Sequence, residues 1–216
     1  MIEGLQPVDI FLLDDGFQHW KLTRDVDIVL IDALDPFGGG YVFPHGRLRE
    51  PLSELARATA FVITRVEPGL RTDSIECELR RWNPKAPIFR SRVVPRGWRE
   101  PATGRGYASA PFESAGAFCG LANPRTFWGS LESLGVDVKF RWAFDDHHHY
   151  RPQEVARVAR RARQQSAQAL VTTEKDAANL CAGCLNTVAP LPLYMLEIGI
   201  EVEDGVALLD FLRSGL

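Results

Sequence analysis

Short apolar runs recur along this sequence, each too brief to span a membrane and too unbroken to be a strand with one wet face. Residues 26–32 (VDIVLID), 60–65 (AFVITR) and 169–173 (ALVTT) are the clearest. A strand exposed on one side alternates apolar and polar side chains, whereas a nearly continuous run belongs to a strand covered on both faces by helices. Residues 8–13, 86–94, 115–121, 136–144 and 193–200 read as further strands. Helices are expected over 51–57, 73–82, 124–134, 152–165 and 206–213, with Pro152 at the first helical position that proline suits. Strands alternating with helices predict an α/β fold built on a mostly parallel sheet.

The pattern breaks once. Residues 95–111 are rich in proline, glycine and arginine and read as a connector rather than the interior of an element. The expected organisation is a first lobe over 1–94, a linker over 95–114, a second, smaller α/β lobe over 115–192, and a returning strand and C-terminal helix over 193–216. A chain of 216 residues suits one or two domains and buries a core without staples.

Composition excludes several classes. Hydrophobic residues make up 45% and charged residues 25%, the balance of a globular protein rather than a disordered one. A net charge of −3 gives no bulk attraction to an acidic partner, and no nucleic-acid partner is expected. Arginines do cluster locally, at Arg90, Arg92, Arg96, Arg99 and Arg105, and again at Arg151, Arg157, Arg160, Arg161 and Arg163. Either group could meet phosphates or an anionic membrane surface, or be a solvated face. No apolar run reaches 18 residues, and no basic flank precedes an apolar segment at the N-terminus, so neither a membrane span nor a signal peptide is expected. The four cysteines lack the spacing of a secreted disulfide framework and fit a reducing compartment. Cys181 and Cys184 form a lone C-x-x-C with no second pair to complete a zinc site.

Chemistry concentrates at expected strand ends, where open α/β sheets bind ligands. "FLLDDGFQHW", residues 11–20, closes an apolar run with Asp14 and Asp15, the arrangement in which a carboxylate holds Mg²⁺ beside nucleotide phosphates. Gly16 would permit a sharp turn, sending Gln18 and His19 back toward the same crevice. Acids also close strands simply because loops are polar. A phosphate-cradling G-x-x-x-x-G-K-[ST] is not among the 216 residues, and Gly38, Gly39 and Gly40 form the only dense glycine run, without a lysine beside it. "GRLREP", residues 46–51, sets Arg47, Arg49 and Glu50 before a helix, as a phosphate-binding pair or as a surface ion pair. "FDDHHHY", residues 144–150, offers a transition-metal site or a single Asp–His proton-transfer dyad; consecutive side chains diverge, so two histidines at most could share one metal. "TEKD", residues 173–176, again places charge at a strand end.

Taken in order, "LLDDGFQH", "FGGG", "FPHGRLREP", "FCGLANPRTFW", "AFDDHHHY" and "VTTEKDA" resemble the bacterial tetraacyldisaccharide 4'-kinases, the lipid A 4'-kinases, from about residue 8 to the C-terminus. The resemblance implies two α/β/α lobes joined by a two-stranded linker, the first lobe an incomplete P-loop-kinase-like sheet. It implies Mg²⁺- and ATP-dependent phosphorylation of the 4'-hydroxyl of a tetraacyldisaccharide 1-phosphate, at the cytoplasmic face of the bacterial inner membrane with peripheral membrane contact. Matched position by position, Asp14, Asp15, Asp146 and His147 are the catalytic candidates. Gln18, His19, Arg49 and Glu50 are substrate-binding candidates, and Asp15 with Gln18 the metal candidates. Arg47, Trp20 and Asn179 depart from the pattern, and the family's P-loop part is not represented, so the chain alone is expected to be inactive or nearly so. Two other functions stay open: a non-catalytic module binding acyl-disaccharide phosphate, and a metal-dependent hydrolase using Asp146, His147 and His149.

Overall fold

The computed structural model describes residues 9–181 and 183–215. It divides into two compact units, Met1–Arg92 with Glu201–Leu216, and Val93–Ile200. The mixed α/β class with a mainly parallel sheet is as expected.

In the first unit, β1 (Ile28–Asp32), β2 (Ala60–Thr64) and the first part of β3 (Ile88–Arg99) pair in parallel. β2 is the apolar run in its purest form, and its alternate side chains enter two cores. Phe61 and Ile63 meet Leu55, Ile75 and Leu79, the last two from helix α1 (Asp73–Trp82). Ala60 and Val62 meet Ala207, Leu208 and Phe211 of helix α5 (Gly205–Gly215). Residues 51–57, expected as a helix, hold a 3₁₀ helix over Leu52–Arg57.

In the second unit the strand order is β8 (Leu193–Val202), β7 (Ala169–Thr173), β5 (Ser114–Cys119), β6 (Asp137–Ala143), with β8–β7, β7–β5 and β5–β6 all paired in parallel. β5 is buried throughout. Ala115, Ala117 and Cys119 face the core that includes Phe127 and Leu131 of helix α2 (Pro124–Ser133), and Phe118 faces Val155, Val158 and Ala162 of helix α3 (Pro152–Gln164). Gly116 has no room to be anything larger, since a β-carbon there would lie 2.2 Å from Phe140 Cε1.

Two expectations fail. Residues 9–13 form no strand; Phe11 and Leu12 are exposed, Leu12 to 94%, because no described strand pairs with this segment and its side chains have no sheet to enter. The stretch 95–111 is not free of regular structure. β3 continues to Arg99 and pairs antiparallel with β4 (Gly106–Tyr107). The reason is Trp98, 2% exposed and packed edge-to-face on Phe112 at 5.0 Å, whose burial outweighs the strand-breaking composition around it.

Candidate functional site

In the first unit, Asp14 and Asp15 sit in an exposed turn rather than at a strand tip. The acid that closes a described strand here is Asp32, whose carboxylate accepts from Leu34 N at 3.0 Å and pairs with Arg65. Asp15 adopts φ +52°, a left-handed conformation uncommon for a non-glycine residue. Its Oδ2 accepts a hydrogen bond from Arg49 Nη1 at 2.6 Å, and that bond with its charge raises the Arg49 pKa. The "DDGFQHW" and "RLREP" stretches therefore meet, although 34 residues separate the paired side chains.

Glu50 makes the second connection. It accepts from Trp20 Nε1 at 2.9 Å and from Arg57 Nη2 at 2.7 Å, while Gln18 Nε2 stands 3.5 Å from Glu50 Oε2, at the outer limit of a hydrogen bond. The Arg57 guanidinium carbon lies 4.4 Å from the Phe17 ring centroid and 4.3 Å from that of Trp20, so two aromatic rings and a carboxylate fix it. Trp20, a departure from the family pattern, is thus integrated by its indole N–H. Arg47, the other departure in this region, pairs with Asp35. Gly38, Gly39 and Gly40 all have positive φ, which explains the glycine run as a tightly turned loop, closed by Arg47 N donating to Gly38 O at 3.0 Å. His19 is exposed; its backbone N donates to Gly16 O at 3.0 Å, its carbonyl accepts from Leu22 N at 3.1 Å and from Arg24 Nη1 at 2.6 Å, and its ring has no partner among the described residues.

In the second unit, the segments leaving the carboxyl ends of β5, β6 and β7 converge on one fully buried carboxylate, Asp176. Its Oδ1 accepts from Gly120 N and from the Tyr150 hydroxyl, both at 2.9 Å, and its Oδ2 from the Thr173 hydroxyl at 2.6 Å. Asp176 lies in helix α4 (Glu174–Ala178), for which Thr173 is the N-cap, accepting from Asp176 N at 3.1 Å. "TEKD" is thus a cap with a reciprocal acid three residues on, the Thr-x-x-Asp signature that would have found this helix in the sequence. Burial and the neighbouring Asp176 charge both push the Tyr150 phenol well above its ordinary range.

Beside this hub lies the histidine loop. Lys175 Nζ donates to Asp146 Oδ1 at 2.9 Å, the main reason the Asp146 pKa is lowered; the His147 charge adds to it. His147 has φ +58° and its backbone N donates to Asp146 Oδ1 at 3.0 Å. Its ring is 76% exposed and its Nε2 is 3.7 Å from Asp146 Oδ2, too far for a hydrogen bond. The expected dyad is therefore a charge neighbourhood, with Lys175 as the direct partner of the acid. His148 turns inward, stacking on Phe144 at 4.7 Å and lying 3.1 Å from Glu154 Oε2 through Nε2. His149 is exposed. Gly120 and Tyr150 carry no signal of this role in the sequence, and within "TEKD" the roles of Lys175 and Asp176 are visible only through the bonds they make.

Asp14, Asp15 and Gln18 offer hard oxygen donors of the kind Mg²⁺ takes, and Mg²⁺ keeps several waters, so one or two carboxylates suffice. Asp14 has no side-chain partner among the described residues, and Asp15 Oδ1 accepts no hydrogen bond from them. The donor chemistry fits. Among the described residues no three His, Cys, Asp or Glu side chains gather as a metal site, which leaves the metal-hydrolase alternative without a ligand set.

Arg49 follows parallel strand β1 and the histidine loop follows parallel strand β6, the end of an open α/β sheet at which ligands bind. Comparison with known proteins makes this specific: the family model for tetraacyldisaccharide-1-P 4'-kinase (LpxK) matches residues 1–215, and the chain belongs to that family. A tetraacyldisaccharide 4'-kinase of Syntrophobacter fumaroxidans is 39% identical over 196 residues, covering 88% of this chain and 50% of the relative. That of Halothermothrix orenii is 37% identical over 208 residues, covering 90% and 54%. The solved structure of "apo" form LpxK from Aquifex aeolicus in complex with ATP matches with a TM-score of 0.61 at 26% identity, covering 93% of this chain and 56% of that one. The chain thus spans about half the length of the curated relatives it matches.

Proposed function

We propose that this chain carries part of the machinery for Mg²⁺-dependent transfer of the ATP γ-phosphate to the 4'-hydroxyl of a tetraacyldisaccharide 1-phosphate. Family membership supports this reading, and the observation that supports it most directly is the Asp15–Arg49 contact joining two of the sequence stretches on which the family resemblance rests. Magnesium, when bound, supplies positive charge beside the phosphate oxygens. Asp14 and Asp15 would hold it, with the Gln18 amide oxygen as a further donor. Arg49, beside Asp15, would offer its planar fork to a phosphate. Glu50 keeps Trp20 and Arg57 in place around that loop. His147 takes the proton lost by the attacking hydroxyl, and Asp146, held by Lys175, keeps negative charge beside the ring. On this reading the reaction would take place at the cytoplasmic face of the inner membrane, reached by peripheral contact; among the described residues no helix is long and apolar enough to cross a membrane.

Phosphoryl transfer depends almost wholly on positioning and charge stabilisation. A Gly-Lys pair does not occur in these 216 residues, so on this reading the phosphate cradle is not one of their own motifs. Activity is tested by incubating the purified chain with labelled ATP, Mg²⁺ and tetraacyldisaccharide 1-phosphate, alone and with the half of the Syntrophobacter fumaroxidans relative that this chain does not match. The expected result is no transfer alone and measurable transfer with the added half. Transfer by the chain alone at the rate of the full-length relative would contradict the reading. Saturable lipid binding without transfer under either condition would leave the acyl-disaccharide binding module as the better account.

A further inference from the structure

Cys181 and Cys184 play no part in the chemistry proposed above, yet they are not independent. Their Sγ atoms lie 2.7 Å apart, within about 0.7 Å of a disulfide bond length. Cys184 N donates to Cys181 O at 2.9 Å, a turn that holds the two residues in this relation without a covalent link. Their environments differ sharply. Cys181 is exposed; Cys184 is fully buried in the core with Tyr150, Val155 and Val158, and its thiol donates to Tyr150 O at 3.3 Å. One sulfur thus meets solvent while its neighbour is shielded, the arrangement of an attacking thiol and a resolving thiol.

We propose that Cys181 and Cys184 form a reversible dithiol–disulfide pair that exchanges with low-molecular-weight disulfides of the glutathione type. The Cys181 thiolate attacks one sulfur of the external disulfide, forming a mixed disulfide and expelling one thiolate, which takes up a proton. Cys184 then gives up its proton and attacks the Cys181 sulfur, expelling the second external thiol. The two cysteines are oxidised by two electrons, and the external disulfide is reduced to two thiols. The thiol acidities agree with this order: the contact with the Cys184 sulfur lowers the pKa of Cys181, while burial pushes Cys184 up to about 11. Closure consumes the Cys184 S–H donor and so removes its bond to Tyr150 O. Tyr150 ends the histidine loop and binds Asp176, so the pair reports on, and is coupled to, that loop.

The test is mass-spectrometric thiol counting on the full chain, equilibrated in glutathione buffers of increasing oxidised fraction. Cys181 and Cys184 should be lost together from the free-thiol pool while Cys77 and Cys119 remain labelled under denaturing conditions. In reduced protein Cys181 should alkylate at least about threefold faster than the other exposed thiol, Cys77. Cys184→Ser should trap one glutathione on Cys181, and Cys181→Ser, an exposed change that spares the core, should give neither adduct nor internal disulfide. Independent loss of the two thiols in the wild-type chain, or oxidation that appears only as links between molecules through Cys77, would overturn the proposal.

Discussion

Asp176 accepts from donors on three segments that the sequence separates by up to 56 residues. A buried carboxylate in this position is retained because each donor around it would otherwise be orphaned, at about 1–3 kcal/mol apiece. Asp176→Ala should therefore destabilise the chain by about 3 kcal/mol or more, and Asp176→Asn, which keeps one acceptor oxygen, by less. Urea unfolding followed by tryptophan fluorescence checks both. Equal, small effects from the two would mean that the hub is replaceable by water. Asp146 gives a prediction of a different kind. The Lys175 ammonium holds its folded pKa below the unfolded value of about 3.9, so the interaction contributes fully above that value and is lost as pH falls through the folded pKa. A carboxyl-detected NMR titration should show the Asp146 midpoint rising in Lys175→Ala; an unchanged midpoint would assign the shift to something other than the lysine.

At the level of elements, Gly116 shows how far a fold is set by local fit. A β-carbon there would meet the Phe140 ring at 2.2 Å, across the paired strands β5 and β6. Gly116→Ala should cost about 1–3 kcal/mol, and combining it with Phe140→Leu should cost less than the sum of the two single changes. Strict additivity in thermal or urea unfolding would show that the two side chains do not compete for this space. The same strands illustrate what was legible beforehand. β2, β5 and β7 were readable because burial on both faces leaves an unbroken apolar run in the sequence. The end of β3 was hidden, since Pro95, Gly97 and Arg99 read as a connector and only the burial of Trp98 reveals the strand. The segment 9–13 erred in the opposite direction, apolar in composition but without a paired neighbour. In the candidate sites, motif order picks out Asp15, Arg49 and Asp146 as candidates. It could not find Lys175 as the partner of Asp146, or Asp176 as the hub, because those roles lie in contacts rather than in residue type.

For the molecule as a whole, the first unit leaves apolar side chains in water that an ordinary core would remove. Phe11 and Leu12 are exposed, and Leu30 on β1 is 67% exposed on the face opposite Ile31, whose side chain is buried. Register explains the contrast: Leu30 is opposite Val62 on the α5 side of the sheet, while Ile31 is opposite Ile63 on the α1 side. An apolar strand surface of this kind binds hydrophobic probes and promotes self-association. Because the relatives are about twice the matched length, some of this surface is expected to be covered in a full-length member. Replacing Leu12 and Leu30 together by lysine removes apolar surface without opening a cavity, so thermal stability should change by no more than about 0.5 kcal/mol per site. Fluorescence of a bound hydrophobic dye should fall by about half or more, and sedimentation should shift toward a single slower species. If dye binding stays at the wild-type level while the double variant remains folded, these side chains are not the adhesive surface. The source would then lie elsewhere in the unit, with exposed Phe43 or Val206 as the next substitutions to measure.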